Sequence, residues 1–563
     1  MNGLFRPSIL AIVSIALAIS AIVLVLWPRA PENRAVPLPV DEGDQEIVWL
    51  YAATNAVPWE RFVEATGSAV QRLAKNRPDL PLEINASNAF PRETTGVSEL
   101  ALSVKGKKGR LLFRWYKLTS DLKTQDWVTA LLRRRPAPLA VLGGSSSDLA
   151  IELAHRMAEE VGRQPAGPAP LLLLTTATAN DEPSLYSPND ESVPGGPLQA
   201  IYPQRTFRFC FTNQQMAEAV TDFIWSQSNL RPESDPVYRA FWEDDPYSRD
   251  LCDRFGETLA VAAIHSTART AARTWAWLTA FAATGGMPID AGRIFLGHFR
   301  NALPLSWNIP YSAGTFDRPN RWELAAAREL IDAKLHEYPN QQQPLLIVSA
   351  ASQPTQRFLR AIVRTAPVEA RRFVVATGDA IAFNVVYRDR NITWPIQEFP
   401  IPLVFFCHRD PVDASAGFSE VTSSEQDKGN GSSAGGTEDL LLFVDIVEAL
   451  VQASYREANV AANPDRLREN LQLARWSKEE RRVEFSPVGR PLFDSAGNRR
   501  SGTGEHVVHL APVVIGGKVL AKAKIAVWSW QPDQAPGKRW TRQRILDVSY
   551  EGALDLDSET HVP

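Results

Sequence analysis

The stretch "LAVLGGSSSDLAIELAHRMAEE", residues 139–160, places three hydroxyls and a carboxylate, Ser145, Ser146, Ser147 and Asp148, between an apolar run and a helical pattern. A hydroxyl in that position has two uses. It accepts from an early backbone N–H and caps the helix, or it joins the free N–H groups there in holding an anionic group at the positive helix end. Ser147 or Asp148 alone satisfies the cap, which leaves the remaining hydroxyls for a ligand.

Other reactive patterns are sparse. No G-x-S-x-G elbow surrounds the serines, and neither a G-x-x-x-x-G-K-[ST] nor an H-E-x-x-H motif occurs. A hydrolase reading therefore has a hydroxyl but no identifiable base. His506 and His509 in "EHVVH" are three apart, which puts them on opposite faces of a strand and argues against a shared metal. Asp244-Asp245 reads as a solvated or turn-bonded acidic pair. Cys210, Cys252 and Cys407 match no zinc spacing and read as small buried apolar residues, with one disulfide left open in an oxidising compartment. Neither a metal nor a cofactor is expected.

The elements that must position the serines follow an α/β plan. Short apolar runs alternate with helical patterns from Glu46 onward: "EIVWLYAA" before a helix from about Trp59 to Ala74, "LAVLGG" before Asp148–Val161, then "PLLLLTTATAN", "PVYRAFWEDDPYSRDLCDRFGETL", "QPLLIVSAASQPTQRFLRAIV" and "RRFVVATGDAI". Such runs predict parallel strands buried on both faces, whose carboxyl ends carry the ligand. That many units fit two lobes better than one.

The chain has 563 residues, is 44% hydrophobic and carries a net charge of −4, which gives no global field for nucleic acid. Ile9 to Trp27 is an uncharged apolar run flanked by Arg6, Arg29 and Arg34, long enough to cross a bilayer as one helix. A cleaved signal peptide is the competing reading, but the run ends in "VLVLWPR" without a small-x-small site. The expectation is an uncleaved anchor over 1–27, a linker over 28–45, and a soluble part outside the cytoplasm.

The order of "GGSSSDLAIELA", "LLLLTTATAN", "YPQRTFRFCFTNQQMAEAVTDFIW", "AFWEDDPYSRDLCDRFGETL", "RRFVVATGDAIAFN", "TEDLLLFVDIVEALVQASY" and "RPLFDSAGNRRSGTGEHVVHL" resembles the type I periplasmic binding proteins. It is most similar to the branched-chain amino-acid (leucine/isoleucine/valine) binding family, whose fold also forms receptor ligand-binding regions. The resemblance spans roughly residues 46–530. It implies two Rossmann-like lobes with parallel sheets joined by a hinge: 46–205 plus 400–475, and 206–398 plus 480–530, with 531–563 as a polar tail.

Carried over residue by residue, the resemblance puts Ser145, Ser146, Ala177 and Thr178 around a ligand carboxylate. Tyr247 falls at a strand end of the second lobe, and Asp379 near the acid that pairs with a ligand ammonium. The chain departs from the pattern where Ser248 replaces a glycine and where "VSAAS" at 348–352 lacks an aromatic, and both weaken the expectation of an amino-acid ligand. Residues 265–320, Trp-rich and longer than the family's connection, read as an insertion that covers the cleft, forms a partner surface or packs a core. Residues 419–436 read as a flexible loop, and Asn391-Ile392-Thr393 as a formal glycosylation triplet. The function implied is capture of a small polar solute for an ABC-type permease or another membrane partner, without catalysis. The alternative is a ligand-independent scaffold on the same fold.

Overall fold

The computed structural model describes residues 35–163, 167, 169–182, 196–232, 237–242, 245–262, 306–311, 322–332, 343–379, 381, 401–411, 437–456, 460, 463–515, 518–535 and 538–549. The apolar segment within 1–27, the loop 419–436, Asn391 and most of 265–320 lie outside them. Among the described residues no helix is long and apolar enough to cross a membrane.

The first sheet contains β1 (Gln45–Ala52), β2 (Leu82–Asn85), β3 (Ser98–Val104), β4 (Arg110–Leu118), β5 (Ala140–Gly143), β6 (Leu171–Leu174) and β7 (Thr206–Arg208), in the order β2-β3-β4-β1-β5-β6-β7. Five strands from β4 to β7 run parallel, and β2 and β3 extend the edge in antiparallel fashion. "LLLL" of β6 is wholly buried because helices cover both faces. Helices Val57–Asn76 and Thr437–Ser454 pack on one face, with Trp59, Phe62, Leu73 and Val447 in a single core. Helices Thr124–Arg133 and Ser147–Arg163 cover the other with Trp127, Leu131 and Met157. Each such fully buried side chain contributes about 1.5–3 kcal/mol.

The second sheet repeats the plan. Its parallel run is β8 (Val237–Trp242), β9 (Ser306–Tyr311), β10 (Leu345–Ser349), β11 (Val374–Ala376) and β12 (Leu403–Cys407), ordered β12-β11-β10-β8-β9. Helices Trp322–Asp332 and Ser352–Thr365 lie on one face, and Asn213–Ser226 and 246–262 on the other. A small sheet of β13 (Arg475–Ser477), β14 (Arg482–Glu484) and β15 (Arg490–Pro491) belongs to the first lobe, where Trp476 and Val483 enter the core. The chain then returns as an antiparallel meander, β16 (His506–Ile515), β17 (Lys518–Trp530) and β18 (Trp540–Ser549), added to β12.

Several expected boundaries are corrected. Strand β12, expected in the first lobe within 400–475, is a fully buried strand of the second sheet, where it pairs parallel with β11 and antiparallel with β16. Strand β7 stays in the first sheet, so that crossing falls at Phe209–Thr212. Residues 482–493 also stay with the first lobe. Part of the 531–563 tail is strand β18, anchored by Trp540, which packs edge-on against Phe223 and donates to Asp222. Its arginines face solvent along a sheet edge, which disguised it as a tail. The end of the 28–45 linker is likewise seated on the fold: Leu38 accepts from Arg134 at 2.7 Å, and its N–H donates to Tyr116 Oη at 3.2 Å. Within 265–320, Ser306–Tyr311 forms edge strand β9.

Candidate functional site

At the carboxyl end of β5 the chain turns through Gly144, whose φ is +71° and where a Cβ would stand 2.8 Å from that of Ala150. Only glycine makes that turn without strain, and it delivers the serines to the start of helix Ser147–Arg163. The three serines divide their tasks. Ser147 is buried, and its Oγ accepts from the Ala179 N–H at 3.1 Å, binding the β5 turn to the β6 turn. Ser145 and Ser146 remain half-buried, and their carbonyls accept from Thr176 Oγ1 and the Ala150 N–H.

Ala177 and Thr178 follow β6, both buried. The carbonyl of Ala177 accepts from Cys210 Sγ at 3.3 Å. That of Thr178 accepts from the Asn213 N–H at 2.8 Å and from Arg208. Thr178 Oγ1 has no hydrogen-bond partner, and neither do the buried hydroxyls Ser349 Oγ and Thr377 Oγ1 at the ends of β10 and β11.

In the second lobe, Tyr247 Oη donates to Asp379 Oδ1 at 2.9 Å, across 132 residues of sequence. Gly378 makes room, since a Cβ there would meet Tyr247 Oη at 2.9 Å. The other oxygen, Asp379 Oδ2, lies 2.8 Å from His408 Nε2. His408 Nδ1 accepts from the Phe211 N–H at 3.2 Å, which leaves Nε2 as the donor to Asp379. The His408 ring stacks on Phe211 with an 8° interplanar angle, and Phe406 meets it edge-on. Tyr247 and Asp379, each expected as a separate ligand contact, thus come together, bonded to each other and, through Asp379, to His408. His408 was missed, although "LVFFCHRD" places it directly after a parallel strand.

The two groups of strand ends adjoin. Asp250 Oδ2 accepts from the Asn180 N–H at 2.9 Å and from Asn213 Nδ2 at 2.7 Å, and Arg254 pairs with Asp181. Burial pushes the Asp245 carboxyl above the usual range, and Asp148 of the first lobe adds repulsion. Burial also raises Asp250.

Beside this cluster the crossovers are tied by charge. Arg499, wholly buried, pairs with Asp445 at 3.0 Å and donates to the carbonyls of Phe209 and Thr503. Arg409 lies 3.5 Å from the same Asp445 oxygen and stacks 4.5 Å above the Trp476 ring. Two crossing segments, through Arg409 and Arg499, thus meet at one acidic residue, and the Phe209 carbonyl joins the third to them through Arg499. Close by, burial pushes Glu505 up to about 7, although both its oxygens accept from the Gly502 N–H.

His506 and His509 lie on opposite faces of β16, with His509 against Phe223. Burial lowers both to about 4. Among the described residues no His, Cys, Asp and Glu cluster has a metal-binding arrangement. The disulfide left open by the sequence does not form: all three cysteines are buried free thiols.

No protein-family model matches the chain, and no curated protein does. Among solved structures it is similar to type I periplasmic binding proteins. One is an ABC transporter substrate-binding protein from Desulfitobacterium hafniense, with 13% identity over 84% of this chain and 99% of that one and a TM-score of 0.45. Another is the branched-chain amino acid transporter substrate-binding protein from Streptococcus pneumoniae in complex with isoleucine, with 11% identity, 86% and 99% coverage and a TM-score of 0.43. A third is a fatty acid ABC transporter substrate-binding protein from Thermomonospora curvata, with 9% identity, 87% and 94% coverage and a TM-score of 0.43. The two-lobed architecture itself rests on the strand order.

Proposed function

We propose that this chain is an extracytoplasmic solute-binding protein. It holds a small polar ligand, amino-acid or amide-like, between the strand ends of its two lobes and presents it to an ABC-type transporter or a signalling partner. The observation that carries the reading is the set of unanswered buried hydroxyls, Thr178, Ser349 and Thr377, at strand ends of both sheets. Ser145 and Ser146 supply further donors at a helix N-terminus, where an anionic group is favoured. The apolar run 9–27 serves as the membrane anchor in this reading, and the work done is binding and lobe closure, not chemistry.

One observation favours the scaffold alternative. Each oxygen of Asp379 already accepts one hydrogen bond, from Tyr247 or His408, which leaves an ammonium group only the remaining acceptor sites. A thermal-shift screen of amino acids, short amides and sugars decides between the two. A receptor gains roughly 2.7 kcal/mol at a hundred times its dissociation constant, and the gain disappears in Ser146→Ala and Asp379→Asn. A flat response across the panel counts against the receptor for these ligands and favours the scaffold.

A further inference from the structure

Away from the strand ends, helices Val57–Asn76 and Thr437–Ser454 and strand β14 line an open-mouthed cavity of about 430 Å³. That is within the range of about 300–1,000 Å³ typical of small-molecule sites. Its apolar wall includes Leu73, Val483 and Phe485, and its polar lining includes Glu448, Gln452, Arg77, Arg456 and Arg482. Glu448 is 1% exposed, and neither of its carboxyl oxygens has a hydrogen-bond partner. The nearest cation, Arg72 Nη1, stands 3.9 Å from Oε1 without hydrogen-bond geometry. A buried carboxyl group left in that state costs free energy that a ligand would recover.

The surrounding charges define what such a ligand carries. Arg77 is matched by Asp79, and Arg482 by Glu484. Arg456, exposed at the rim, has no ion-pair partner among the described residues. The lining therefore has a cation to spare. Burial pushes Glu448 up to about 8, with Asp445 adding to the rise and Arg72, Arg409 and Arg482 opposing it. At neutral pH the group thus offers one O–H donor and one carbonyl acceptor, the complement of an amide or hydroxyl.

We propose that this cavity is a second binding site, for a small organic acid whose carboxylate faces Arg456 and whose other end carries an amide or hydroxyl that pairs with Glu448. The site is independent of the interlobe reading and stands if that reading fails.

The test is isothermal titration calorimetry on the full chain in mild detergent, with glutaramate, the monoamide of glutaric acid, and with valerate, which lacks the distal polar group. Saturable binding of glutaramate is expected, with valerate about tenfold weaker or more, the equivalent of roughly 1.4 kcal/mol. Arg456→Ala weakens glutaramate by a similar factor, and Glu448→Leu removes the preference over valerate. Arg456 is exposed, so its variant keeps the test valid if Glu448→Leu does not fold. Absence of binding by either acid, or binding indifferent to Arg456→Ala, overturns the proposal.

Discussion

Asp445 and Glu448 stand three residues apart on helix Thr437–Ser454, nearly one above the other, and both are buried. Asp445 meets Arg499 at 3.0 Å and Arg409 at 3.5 Å, at the junction of the three crossings. Glu448 faces a cavity, and nothing donates to it. The difference lies in the geometry of the neighbours and not in the acid. Arginine reaches Asp445 from crossing segments held in place by Trp476 stacking and by the Phe209 and Thr503 carbonyls, whereas Arg72 approaches Glu448 without alignment. A charge held by fixed partners stabilises a junction, and one without them keeps its proton.

The largest effect that sharpens this contrast is in pH dependence. Below about pH 4.5, the ordinary Glu value, Glu448 is protonated whether the chain is folded or not. From there to about 8 the unfolded chain ionises it while the fold retains the proton, so stability falls with rising pH, by about 5 kcal/mol over the whole window. Glu448→Gln removes that contribution, and melting temperatures of the two proteins should diverge steadily toward pH 8, with the variant higher. Parallel profiles would mean that Glu448 ionises freely. Next, Arg499→Met strands Asp445 and costs about 3–5 kcal/mol in a denaturant titration. A loss under about 1 kcal/mol would show that Arg409 alone supports the junction.

Asp379 is an intermediate case, because each of its oxygens has one donor. Tyr247→Phe should cost about 0.5–1.5 kcal/mol, read from the shift in unfolding midpoint, and the same variant frees an oxygen for a cationic ligand. Arg456→Ala, at the exposed rim of the cavity, should change stability by no more than about 0.5 kcal/mol. A larger change would make Arg456 part of the fold and not of a site.

The parallel strands were legible because "LAVLGG", "LLLL" and "LLIVS" are apolar on both faces and end in turn residues. Strand β18 was not, since Arg542, Arg544 and Asp547 give an edge strand the composition of a solvated tail. At the strand ends, Ser145 and Ser146 could be singled out from their position before a helix, whereas Tyr247 and Asp379 were reached only through the family resemblance. His408 stands at a strand end too, but its partners Phe211 and Asp379 come from other elements and no sequence spacing unites them. Glu448 and Asp445 left a different signal: two acids inside an otherwise apolar helix must be answered somewhere, but only the fold shows which one is.

The packing of helix Thr437–Ser454 against helix Val57–Asn76 also sets the order in which the protein can be made. The first lobe's core lacks Val444, Val447 and Val451 until the ribosome has passed through the whole parallel run of the second sheet. At roughly 5–20 residues per second, the nascent first lobe waits tens of seconds with the flank of its first helix uncovered. The earliest lobe to emerge is therefore left incomplete until most of the second has been made, and only the closing meander β16–β18 follows it.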